Sequence, residues 1–268
     1  MQGRLLPKYR GRFQAHPVGY WEDEFPLAAA CGLSLIEFIL DYHDADKNPL
    51  LEAGGVGRIR KASAATGVGV ETVCADYFME APLHHADPGV RRESAAVFRR
   101  LLDTAGELGV GNLVLPCVDQ SSLGGTEAAD RLVESLAPLL PLAAEKGVFI
   151  SFETDLAPAP FAALLARIDH PAARVNWDTG NSASLGYDAR EEWRAYGPLI
   201  SDVHLKDRVR GGGSILLGDG AVDWEACRTL LKDYAGPVIL QAWRDDEGLG
   251  VFKRQLAWVR GKFGGIVP

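Results

Sequence analysis

No run of eighteen apolar residues interrupts this chain, so a membrane-spanning helix is not expected. Cysteine is scarce: Cys31, Cys74, Cys117 and Cys227 stand far apart and form no C-x-x-C pair. That spacing argues against a zinc ribbon and suits reduced thiols. Basic residues are outnumbered, with 28 Lys and Arg against 36 Asp and Glu, a formal net charge of −8. A phosphate-tracking surface needs clustered Lys and Arg, so nucleic acid is not expected as a partner. The beginning of the chain, Met1-Gln2-Gly3-Arg4-Leu5-Leu6-Pro7, lacks the apolar core of a signal peptide, and a cytoplasmic location is the default expectation. Also missing is a G-x-G-x-x-G loop after the first strand candidate, which counts against a doubly wound nucleotide-binding sheet.

What is present is an alternation. Short β-branched runs near 3–6, 34–39, 69–74, 112–116, 148–152, 174–177, 200–205 and 237–241 read as eight strands. Amphipathic stretches near 22–31, 54–66, 89–108, 126–146, 159–168, 189–196, 224–234 and 248–262 read as helices between them. Val97, Leu101, Leu102 and Ala105 fall at helical spacing, with arginines on the opposite side. No Pro/Ser/Gly linker divides the series. The expected architecture is a single α/β domain over residues 1–268, a (β/α)₈ TIM barrel, with the open parallel sheet as runner-up.

The stretch DVHLKDR, residues 202–208, then takes on meaning. On a strand, Asp202, His204 and Lys206 share one face while Val203 and Leu205 share the other. In a barrel the polar face looks at the axis and the strand ends meet at a common mouth. The last four strands each finish on a ligand-capable side chain: Glu153, Asp178, His204 and Gln241. Any one of these alone reads as a cap, a turn residue or a core histidine. Four on successive barrel strands point instead to one site for one divalent ion. The oxygen- and nitrogen-rich, sulfur-free set suits Mn²⁺ first, with Mg²⁺, Co²⁺ or Zn²⁺ as alternatives.

The order of QGRL, GRFQAHP, GLSLIEF, FET, DTGN, DVHLKDR, LGDGAVDW and ILQAWR along the chain resembles the xylose isomerase-like barrel superfamily of sugar phosphate isomerases and epimerases. That group also holds inosose dehydratases and endonuclease IV. The resemblance implies a metal held by Glu153, Asp178, His204 and, with Gln in place of the usual Glu, Gln241. It also implies an isomerase or epimerase of a small sugar, sugar phosphate or keto-polyol that abstracts a proton next to a metal-polarised carbonyl. Because Gln241 can ligate but cannot exchange a proton, a mechanism with two strand-end glutamates is in doubt. Glu153 is then the first choice of base, with Glu37 or Lys206 as second proton donor. Asn181 stands where several relatives carry histidine and is assigned to substrate, as are Arg208 and Arg244, which leave the last two strands. The alternatives are an inosose-type dehydratase and a non-catalytic carbohydrate-binding barrel. The endonuclease branch needs several further histidines at its metal cluster, but of the six present His16, His43 and His170 are placed on loops away from the cluster positions, and His84 and His85 are expected to be solvated or in a mobile third loop. Trp177 and Trp243 are expected to pack under helices. Homo-oligomerisation is left open.

Overall fold

The computed structural model describes residues 1–264. Seven parallel strands make the main sheet: β1 Leu35–Ile39, β2 Gly69–Cys74, β3 Asn112–Cys117, β4 Phe149–Thr154, β5 Ala173–Asp178, β6 Ile200–Leu205 and, after a two-stranded hairpin (β7 Asp207–Arg208, β8 Ser214–Ile215), β9 Val238–Leu240. Their spatial order is β1-β2-β3-β4-β5-β6-β9. The strand expected at 3–6 is not formed. Gly3 takes φ 51°, which turns the chain out of the extended state, and only Gln2 pairs as an isolated parallel bridge to Glu37. That one residue nearly closes the ring, because Gln2 N also donates to Leu240 O (3.4 Å) while Glu37 N donates to Met1 O (2.8 Å).

Helices cover the outside, as the alternation predicts for strands buried on both faces. Every residue of β3 is buried. The long helix Pro88–Leu108 begins where Asp87 accepts from Gly89 N and Pro88 occupies the first turn. It buries Phe98, Leu101, Leu102 and Ala105 in the hydrophobic core, and ends at Gly109 with φ 80°. The single helix expected over 126–146 is two, Thr126–Leu136 and Leu140–Lys146, since Pro138 cannot continue the hydrogen-bond ladder. Two short helices not anticipated from the sequence, Tyr77–Glu80 and Thr179–Leu185, stand at the ends of β2 and β5. No described helix is long and apolar enough to cross a membrane.

The barrel axis is polar. Ser151 donates to Asn112 Oδ1 (3.0 Å) and meets Ser201 Oγ at 2.8 Å, a contact that skips β5 and so crosses the interior. Above it Asn176 Nδ2 reaches Asp202 Oδ1 (3.4 Å). Asp202 and His204 do face the axis, both fully buried, while Val203 and Leu205 belong to the apolar core. The loop that follows is organised by Asp207. Its carboxylate accepts from Gly218 N (2.9 Å), Gly220 N (3.1 Å) and Trp224 Nε1 (3.0 Å), which accounts for the residues of LGDGAVDW.

Candidate active site

The DTGN segment builds one wall. Asp178 ends β5 and caps the helix Thr179–Leu185, Oδ1 accepting from Asn181 N (2.8 Å). The Thr179 hydroxyl donates to Lys206 O (2.8 Å) and accepts from Lys206 N (3.1 Å), fastening this turn to the end of β6. Gly180 is required by that approach: a Cβ there would stand 3.0 Å from the Lys206 carbonyl carbon. Asn181 then directs its amide at the neighbouring strand end, Nδ2 donating to Glu153 Oε1 (2.5 Å) and Oδ1 accepting from Arg208 Nη1 (2.8 Å). Lys206 Nζ lies 3.4 Å from Asp178 Oδ2.

His204 is held from two sides. Nδ1 faces Gln241 Nε2 at 2.8 Å. Nε2 stands 2.9 Å from Glu37 Oε1, close enough for an ion pair though not aligned as a hydrogen bond. Glu37 in turn accepts from the Thr72 hydroxyl. One ligand atom each from Glu153, Asp178 and His204 lie within 4.8 Å of one another, and so does a second set, Glu37, Asp202 and His204. The two share the imidazole but differ in access. Glu37 and Asp202 are wholly enclosed, 1 % and 0 % exposed, whereas Glu153 borders a cleft of about 270 Å³ together with Asn181, Lys206, Arg208 and Gln241.

Burial dominates the electrostatics. It raises the Glu153 carboxyl well above the usual carboxylate range, and the charge of Asp178 adds to the effect against the opposing pull of His204 and Lys206. Burial and Glu37 raise Asp202 likewise. For His204 burial alone would depress the pKa, but the charges of Glu37, Asp202 and Glu153 together lift it to about 9. Gln241 Oε1 is buried and without a hydrogen-bond partner. An orphaned carbonyl oxygen beside two carboxylates and an imidazole is a donor set that a hard or borderline divalent cation fits.

Five of the expected positions, Glu153, Asp178, Asn181, His204 and Gln241, are therefore brought together, with Lys206 and Arg208 at the edge of the same cleft. Two are not. Glu37 is buried, does not border the cleft, and has Oε1 2.9 Å from His204 Nε2. Arg244 is committed to the first loop: it donates to Arg4 O and to Leu6 O (3.2 Å), and its guanidinium stands 4.4 Å over the Phe13 ring. Trp177 packs inward as expected, Nε1 donating to Glu192 Oε2 (3.0 Å), but Trp243 is 37 % exposed. His16 lies on a loop as expected, though buried against Trp21 and Phe38, and His84 is buried rather than solvated.

The rest of the cleft lining includes residues to which sequence reasoning gave no role: Arg12, Gln14, Asp76 and Asp119 among them. GRFQAHP was read for its resemblance alone, and CADY around Asp76 carries no motif.

A family model described as the xylose isomerase-like TIM barrel matches residues 25–262. The chain is 29 % identical over 241 residues to a 2-epi-5-epi-valiolone 7-phosphate 2-epimerase from an Actinoplanes strain, with 87 % of each covered. It is 25 % identical over 246 residues to an L-ribulose-5-phosphate 3-epimerase from Escherichia coli, covering 87 % of this chain and 86 % of that one. Among solved structures, an L-ribulose 3-epimerase superposes with a TM-score of 0.74 at 19 % identity, over 93 % of this chain and 91 % of that chain. A 3-keto-D-glucoside 4-epimerase from Escherichia coli gives 0.73 at 17 % identity, over 90 % and 94 %. At such identities the structural likeness bears on the fold alone.

Proposed function

The chain belongs to the xylose isomerase-like TIM barrel family, and from that premise we propose that it is a divalent-metal-dependent epimerase or isomerase of a small keto sugar, sugar phosphate or keto-polyol. The observation that carries the reading is the convergence of Glu153, Asp178 and His204, with Glu153 and the unpartnered Gln241 bordering the cleft. These four would hold the ion. Bound there, it would supply Lewis acidity to a substrate carbonyl and the adjacent hydroxyl.

The protein's own groups account for the rest. Glu153 has the raised pKa that a carboxylate needs to take a carbon-bound proton near neutral pH. Asn181 fixes the direction of that carboxylate by donating to its Oε1. Lys206 places a positive charge at the cleft, where it can stabilise an oxyanion developing on the substrate. Arg208, whose second contact is to Gly212 O (2.9 Å), presents a guanidinium suited to a phosphate or carboxylate. The names of the relatives, both epimerases of phosphorylated substrates, support epimerisation and an anionic substrate.

Elemental analysis of purified protein after incubation with Mn²⁺ and removal of loose metal tests the site. About one ion per chain is expected in wild type and a loss of that ion in Asp178→Ala and His204→Ala. Unchanged content in both variants, each shown to be folded, would remove these residues as ligands.

A further inference from the structure

An epimerase needs a proton removed from one face of a carbon and returned on the other, and the residues around the ligand candidates supply only one such agent, Glu153 itself. Gln241 cannot carry a proton. Lys206 is drawn to Asp178, on the same side as Glu153. Glu37 is buried and does not border the cleft. We propose that Asp76, which lines the same cleft from the end of β2, is the second proton-transfer group. This deepens the epimerase reading and rests on it.

Asp76 follows β2 at the same end of the barrel as the ligand candidates and borders the cleft. Only β3 separates its strand from β4, which carries Glu153, and Asp178 and His204 follow on the next two strands, β5 and β6. Asp76 thus borders the cleft at the end of a strand that carries none of the four. Of the other carboxylates lining the cleft besides Glu153, Glu80 and Asp119 are exposed, whereas Asp76 is half-buried. Its position is fixed. Oδ1 accepts from Cys74 Sγ (3.1 Å) and Oδ2 from Gln14 Nε2 (3.3 Å). Gln14 Oε1 accepts from Arg4 Nη2 (3.0 Å), and Arg4 Nε donates to Ala242 O (3.3 Å), the residue after Gln241. A chain of hydrogen bonds therefore runs from the end of the eighth barrel position, through the first loop, to Asp76. Burial, with the charge of Asp41 adding to it, holds the Asp76 carboxyl up at about 6, so the acid form persists toward neutral pH.

The step balances. Glu153 carboxylate takes the proton, and the C–H electron pair passes into an enediolate. The Asp76 acid gives its proton to the same carbon from the other face, the enediolate pair forms the new C–H bond, and Asp76 is left as a carboxylate. Exchange with solvent then takes a proton from Glu153 and returns one to Asp76.

The full chain loaded with Mn²⁺ is incubated in D₂O with a panel of five- and six-carbon ketoses and their terminal phosphates, and followed by proton NMR. Deuterium entering recovered substrate and epimer formed are read separately. Starting from the epimer whose proton Glu153 removes, Asp76→Asn should keep exchange within a few-fold of wild type while epimer formation falls by about a hundredfold or more. Asp76→Glu should restore part of it. Epimer formation by Asp76→Asn at the wild-type rate overturns the assignment. So does an equal loss of exchange and epimerisation that Asp76→Glu does not repair. Wild type that neither exchanges nor epimerises any ketose overturns the epimerase reading, and the assignment with it.

Discussion

Glu37 Oε1 and His204 Nε2 stand 2.9 Å apart with both side chains closed off from solvent. The imidazole is thus oriented on that side, leaving Nδ1 turned toward Gln241. Carboxylates that orient a ligating histidine in this way govern its affinity for the ion. Glu37→Gln, which keeps shape but not charge, should weaken Mn²⁺ binding by about ten- to a hundredfold. Calorimetric titration of the folded variant measures it, and unchanged affinity would reduce Glu37 to a packing role.

The two arginines that leave the last strands should separate in behaviour. Arg208 borders the cleft, so Arg208→Ala should raise KM for a phosphorylated substrate by about tenfold or more over its effect on the neutral analogue, the scale of a charge-assisted hydrogen bond. Arg244 binds the first loop, so Arg244→Ala should leave that ratio alone and lower Tm by about 2–4 °C per kcal/mol lost. Steady-state kinetics on the two substrates together with a melting curve decide between these roles.

Glu24 gives a pH dependence with a definite sign. Burial raises its carboxyl from 4.5 to about 7, with Leu5 N (3.5 Å) its hydrogen-bond donor in opposition. An acid whose folded pKa lies above its unfolded one binds its proton more tightly when folded, so its contribution to stability is lost as pH rises from about 4.5 to about 7. Glu24→Gln carries no such dependence. Its Tm relative to wild type should therefore climb between pH 5 and 7.5 and stay level above that. A difference that is flat across this range would mean that Glu24 is ionised in the folded protein.

The alternation of strands and helices was legible because hydrophobic period is a local property, and β1 to β6 and β9 fall where it places them. The failures have particular causes. The run 3–6 looks extended, yet Gly3 at φ 51° spends it on a loop. The 126–146 pattern keeps its period across Pro138, so the break is visible only as a missing donor. Thr179–Leu185 hides because its start, Asp178-Thr179-Gly180, has turn chemistry that serves equally as a helix cap. At the site, the residues that end strands were readable since a barrel brings strand ends together whatever the loops do. The roles of Glu37, Arg244, Gln14 and Asp76 depend on the path of the first loop and on depth along the axis. Neither leaves a period or a motif in the sequence.

Removal of a carbon-bound proton by Glu153 is measured most directly by hydrogen exchange into D₂O. Wild type loaded with Mn²⁺ should introduce solvent deuterium at the carbon beside the carbonyl of its substrate. Glu153→Gln, which still offers an oxygen to the ion, should retain metal but lose exchange and turnover by about a hundredfold or more. Undiminished exchange in Glu153→Gln, with metal retained, would contradict the account.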